Sequence, residues 1–213
     1  MADVAVNAER FFQRLERLQA HWKAHKSEYW KGADVLCIPA GTTDADATYS
    51  KSASLQLYLL GYEFSDTIIL ITSKSVHVIA TAKKCTILEV LTKVENAPAT
   101  VQLIKKEKDE GVNRENFHNL LSVVRKAGKN IGSLFKQEFA GTFVQSWMEL
   151  VKSSTIDMVD IADGLGMFFA VKDDVEQDLC KRAAVLTNKV MKHGFVSEME
   201  SILDTWPVCP YNV

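Results

Sequence analysis

The chain has 213 residues, 47% hydrophobic and 24% charged, a balance that excludes wholesale disorder and fits one large folded unit. Twenty-five Lys and Arg face 27 Asp and Glu, a formal net charge of -2, so no overall basic field draws in a phosphate backbone and sequence-specific nucleic-acid binding is not expected. No apolar run approaches the roughly 20 residues of a membrane span, and Cys37, Cys85, Cys180 and Cys209 are scattered with no C-x-x-C pair, which suits a soluble intracellular protein in a reducing compartment.

Asn7 can cap a helix whose apolar residues Phe11, Leu15, Leu18 and Trp22 form one stripe of a 3.6-residue period. "ADVLCIPAG" at 33–41 reads as a short strand ended by Pro39 and Gly41, and a polar loop "TTDADATYS" follows. Ser50 is placed to cap a second helix, in which Leu55, Leu57, Tyr58, Leu59 and Leu60 spread around the axis and predict burial on several sides. Gly61 is expected to stop that helix at positive φ, with Glu63 or Asp66 satisfying nearby backbone donors before a β-branched strand, 67–72. The short link "TSKS" then requires an antiparallel neighbour, "VHVIAT" at 76–81.

Further on the pattern alternates. A helix through Ile87 and Leu91, the strand "TVQLI", and a helix burying Phe117, Leu120, Leu121 and Val124 are followed by the strand "NIGSLF". Asn113 is expected to open that helix and Gly128 to close it. The mixed-sign run "KKEKDE" at 105–110 reads as a solvated loop or face. "GTFVQSWMELV" at 141–151 has helical spacing and "IDMVDI" at 156–161 is a strand, while "GLG" at 164–166 predicts a flexible corner. Asp173 and Glu176 have capping-box spacing ahead of a helix with Val175, Leu179, Ala183, Leu186 and Val190 on one face. Gly194 should end it, and Ser197 with Glu200 should open another. The order predicts an α/β fold: a mixed sheet of about six strands with helices on both faces.

Catalytic signatures are lacking. His21 and His25 have i, i+4 spacing but not the remainder of H-E-x-x-H, which favours an ordinary helix face over a zinc site. Ser133 after Gly132 lacks the second glycine of a nucleophile elbow, and neither a Walker loop nor G-x-G-x-x-G occurs. Tyr29 and Trp30 read as packing residues. The acidic residues Asp157, Asp160, Asp163, Asp173, Asp174, Glu176 and Asp178 serve as caps and solvent-facing positions or, alternatively, face a basic partner; Asp157, Asp160 and Asp163 are the candidate contacts. No catalytic, metal-binding or cofactor-binding residue is assigned, and no cofactor is expected.

Three blocks, "YSKSASLQLYLLGYEFSDTIILI", "GTFVQSWMEL" and "VDIADGLGMFFAVKDDVEQDLCKRAAVLTNKVM", resemble the N-terminal part of the large subunit of the FACT histone chaperone complex. The resemblance covers about Phe11 to Asp204, and "LLGYE" followed by "DTI" is its most specific element. It implies a domain similar to the creatinase/aminopeptidase (pita-bread) superfamily, in which the metal ligands of true peptidases belong to a second lobe. FACT members lack those catalytic residues, so none is carried over. Residues 1–172 would form the α/β N-terminal lobe, and 173–213 a helical segment starting a truncated second lobe.

The resemblance implies a non-catalytic interaction module of a nuclear, chromosome-bound histone chaperone, acting in nucleosome reorganisation during transcription, replication and repair. Its implied partners are histones and, in the full-length protein, the small high-mobility-group-associated FACT subunit, with no membrane involved. The alternative from another class is the substrate-entrance lobe of an active proline-dipeptidase-type metallopeptidase. A third is a degenerate paralogue without a role of its own.

Overall fold

A computed structural model describes residues 5–42 and 50–205. The expected polar loop before Ser50 lies almost wholly outside these residues, as do Cys209 and the tail from Trp206. The chain divides into two units, Met1–Phe168 and Phe169–Val213.

In the first unit, α1 (Ala8–Ala24) precedes β1 (Val35–Ala40), α2 (Lys51–Leu60), β2 (Thr67–Ile71) and β3 (Ser75–Ala80). Then come α3 (Ala82–Leu88), which runs on as a 3-10 turn, β4 (Thr100–Lys105), α4 (Glu110–Ala127), β5 (Asn130–Ser133), α5 (Thr142–Lys152), β6 (Asp157–Asp160) and α6 (Ala162–Ala170). The six strands form one mixed sheet in the order β4-β3-β2-β1-β5-β6. β2 is antiparallel to both neighbours and the other pairs are parallel. The α/β class and the mixed sheet are therefore as expected, and so is the β2–β3 hairpin. The Thr72 hydroxyl oxygen closes that hairpin by accepting from the Lys74 and Ser75 amides at 3.2 and 2.8 Å.

Every residue of β1 and β2 is buried, which a strand achieves only when both faces of its sheet are covered. On one face Val35, Cys37, Ile68, Leu70, Ile79 and Ile131 pack with Phe117 and Val124 of α4 and Phe143 and Trp147 of α5. The alternating residues Leu36, Ile38, Ile69 and Ile71 are equally buried on the other face. α1 and α2 pack together, and the Trp22 indole of α1 donates to the Ala33 carbonyl at 3.0 Å.

The "LLGYE" stretch is a helix stop. The Ser50 hydroxyl accepts from the Ala53 amide at 3.1 Å, and Gly61 ends α2 at φ 78°, its amide donating to the Leu57 carbonyl at 2.9 Å. Ser52, Gln56 and Tyr58 are buried with the leucines, whereas Leu57 is exposed. Neither Glu63 nor Asp66 satisfies the following backbone: the Phe64 amide donates to the Gln56 side-chain oxygen at 2.7 Å, and Asp66 ion-pairs with Lys106. That pair also gives the "KKEKDE" run one structural role, because the Lys106 ammonium lies over the Phe143 ring at 4.3 Å.

Four local expectations are corrected. Asp109, not Asn113, caps α4, its carboxylate accepting from the Gly111 amide at 2.7 Å; Asn113 is buried one turn in, exchanging hydrogen bonds with the Glu107 backbone at 2.7 and 2.9 Å. "GLG" is no corner but part of α6, where Gly164 lies so close to Trp30 that a Cβ would meet the indole at 2.5 Å. Gly194 does not end its helix, and Ser197 is itself helical, with its hydroxyl donating to the Lys192 carbonyl at 3.1 Å instead of capping.

The second unit is helical. Asp173 and Glu176 form the expected reciprocal capping box at 2.8 and 2.9 Å ahead of α7 (Asp174–Val190). A π-helical turn, Met191–Val196, joins α7 to α8 (Ser197–Thr205). The extra residue of that wider turn absorbs Gly194 without a break. Val175, Leu179, Leu186, Val190, Phe195, Met199 and Ile202 are exposed along it.

Candidate interaction surface

The three candidate acidic contacts do not converge on one point. Asp157 begins β6, is exposed, and its amide donates to the Lys129 carbonyl at 3.0 Å. Asp160 ends the same strand, and its carboxylate accepts from the Ala162 amide at 3.1 Å, ordering the entry into α6. Asp163, in the first turn of α6, faces Lys31 at 3.3 Å, and both side chains are largely open to solvent. Asp157 and Asp160, three residues apart on the edge strand β6, project to opposite faces of the sheet, and Asp163 lies in the helix that follows. In the helical unit, Asp173 and Glu176 are occupied in the capping box and Asp178 pairs with Arg182 at 2.7 Å.

Several groups able to do chemistry have structural roles. Burial pushes the Cys37 thiol up to about 12, against the effect of the Trp147 indole, which donates to its sulfur at 3.2 Å; it stays protonated and inert. Burial likewise raises the Cys85 thiol. The His77 ring, its proton affinity lowered by burial, contacts the Ser75 hydroxyl at 2.9 Å, and that hydroxyl contacts Thr72 at 2.9 Å, so both side chains belong to the hairpin lock. The Ser133 hydroxyl is buried with no hydrogen-bond partner among the described residues.

Among the described residues no three His, Cys, Asp or Glu side chains come together to hold a metal. The His21 and His25 rings are near each other, 4.8 Å between centroids, but the Nδ1 of His21 already accepts from the Trp30 indole at 3.2 Å. Trp30 is fully buried, as its reading as a packing residue requires. No described helix is long and apolar enough to cross a membrane.

Among the described residues, two open grooves stand out. One, of about 1230 Å³, lies beyond the carboxyl ends of β1 and β5, between Ala53 of α2, the 134–140 loop and Met148 of α5. Strands β1 and β5 feed helices on opposite faces there, the arrangement that opens a crevice in α/β sheets. The second, of about 1060 Å³, runs between α4 and α5 over Phe117, Phe143 and Leu150. Sequence reasoning found neither, because both depend on how distant elements splay apart.

The fold is shared by a Xaa-Pro dipeptidase from Bacillus anthracis, only 14% identical, with a TM-score of 0.51 over 88% of this chain and 42% of that one. The family model for the FACT complex subunit SPT16 N-terminal lobe domain matches residues 6–164, and the chain belongs to that family. It is similar to the solved N-terminal domain of FACT complex subunit SPT16 from Cicer arietinum (chickpea), 30% identical with a TM-score of 0.83 over 94% of this chain and 47% of that one. The FACT complex subunits SPT16 of Arabidopsis thaliana and Zea mays are 33% and 31% identical over 94% of the chain. The chain spans 19% of the length of each of these two relatives.

Proposed function

We propose that the chain is a non-catalytic interaction module of a FACT-type histone chaperone, contributing to histone binding and nucleosome reorganisation in transcription, replication and repair. The observation that carries the reading is the family match across residues 6–164, joined by relatives of about one-third identity that are FACT subunits. Nuclear residence on chromosomes, and assembly in the whole protein with the small high-mobility-group-associated subunit, follow from the same reading. The peptidase alternative draws on the fold alone, since the dipeptidase shares 14% identity. The helical stretch from Asp173 onward is, on this reading, the opening of a second lobe, which its exposed apolar residues would help to pack.

Asp157, Asp160 and Asp163 are the proposed contacts for a basic histone surface. Asp157 and Asp163 are exposed and so open to a basic partner. Reversing Asp157 and Asp163 to Lys, with Asp160 left to order α6, should weaken binding to purified core histones and flatten its salt dependence. Undiminished binding by that double variant would remove this surface from the proposal while leaving the module's role to be tested by the parent chain.

A further inference from the structure

His21 stands where three elements meet. It sits on α1, its Nδ1 accepts the Trp30 indole N–H at 3.2 Å, and its ring packs against Phe168 of α6 with 5.6 Å between centroids. Trp30 has no exposed surface and is pressed against Gly164 of α6. Phe168 in turn stacks edge-on against Tyr58 of α2 at 5.3 Å. One ring therefore ties the turn after α1, through Trp30, to Gly164 and Phe168 of α6.

An imidazole nitrogen that accepts a hydrogen bond cannot also carry a proton. Protonating His21 turns Nδ1 into a donor facing the Trp30 N–H, and the buried indole loses its acceptor. The ring itself is only partly buried, so a proton can reach it. The charged and titratable groups that act on it are His25 and Arg17 on α1; Tyr58 on α2 touches its neighbour Phe168, and the Lys31–Asp163 pair joins the turn to α6. Burial, then His25 and Arg17, lower the His21 proton affinity, so the neutral latched form persists at neutral pH.

We propose that His21 is a proton-sensitive latch: neutral, it accepts from Trp30 and holds α6 against α1; protonated, it releases Trp30 and frees α6 to shift. The device is independent of any histone contact and acts on the packing of one helix. His25 does not share the role, since its Nδ1 faces the exposed Glu28 at 3.2 Å instead of a buried donor.

The test is hydrogen exchange of the Trp30 indole N–H, followed by nitrogen-resolved NMR and assigned with a Trp30→Phe sample, in the parent chain and in His21→Gln. The glutamine offers an oxygen acceptor that does not titrate. As pH falls through the midpoint at which the His21 ring is itself seen to protonate, the parent's protection factor should drop about tenfold, the loss of one buried hydrogen bond, while that of His21→Gln holds over the same range. An equal drop in His21→Gln overturns the latch, as does unchanged protection in a parent whose His21 ring has visibly protonated. Should the variant fail to fold, the parent alone decides: the indole and the His21 ring must titrate with the same midpoint, and different midpoints refute the coupling.

Discussion

Replacing Gly61 isolates a backbone effect. Its φ of 78° is in the left-handed region, and a Cβ built there meets no atom within 4 Å, so a substitution creates strain without a clash. A left-handed conformation costs an L-residue roughly 1–2 kcal/mol, partly offset by about 0.4–1 kcal/mol of unfolded-state entropy removed with the glycine, leaving about 1 kcal/mol of net destabilisation for Gly61→Ala. In a chain of this size that lowers the melting temperature by about 2–4 °C. Gly61→Val should lose more, because β-branching disfavours the region further, and Gly61→Asn less, because Asn tolerates it. Thermal unfolding followed by circular dichroism reads all three. An alanine variant as stable as the parent, or an asparagine variant less stable than the valine one, would refute the helix-stop assignment.

Other consequences are equally open to measurement. Gly164→Ala forces a methyl into the Trp30 indole and should destabilise by about 1–3 kcal/mol, with a change in tryptophan emission; a neutral result would mean that α6 is not seated on Trp30. Asp34 accepts from the Lys129 and Asn130 amides at 2.9 and 3.1 Å and from Lys26 at 2.6 Å. Burial opposes its ionisation, but the Lys26 bond and these amides outweigh it and hold the carboxyl below its usual range. Its stabilising contribution is thus full above the unfolded carboxylate value of about 4 and lost as pH falls through the lower folded value. Asp34→Asn should flatten that acid limb of a stability profile, and an unchanged limb would contradict the assignment. A disulfide reagent at mildly alkaline pH should label Cys180, which is exposed, at once and Cys37 only on unfolding; rapid native labelling of Cys37 would contradict its burial.

What the sequence revealed follows from the range of the forces involved. The Ser50 cap, the Gly61 stop, the Thr67–Ala80 hairpin and the Asp173–Glu176 box are decided within a few residues, so their spacing sufficed. Gly164 was misread because its reason is Trp30, distant in the chain, whose ring leaves no room for a side chain. The Asp109 cap was missed because it lies inside a charged run that reads as plain solvent contact, while the buried Asn113 resembles a cap by residue type alone. The acidic candidates looked like one region in sequence, yet β6 spaces Asp157 and Asp160 apart, and Asp160 and Asp163 have partners of their own.

On the proposed function, these side chains hold a docking platform together and the chain performs no covalent chemistry. The most direct measurement is equilibrium binding of the purified chain to core histones across a salt series, with hydrolysis of a Xaa-Pro peptide followed in parallel in the presence of divalent metal. Saturable binding that weakens as salt rises, with no hydrolysis, is the expected result. Metal-dependent cleavage that co-purifies with the chain, or no saturable binding at any salt, would contradict it.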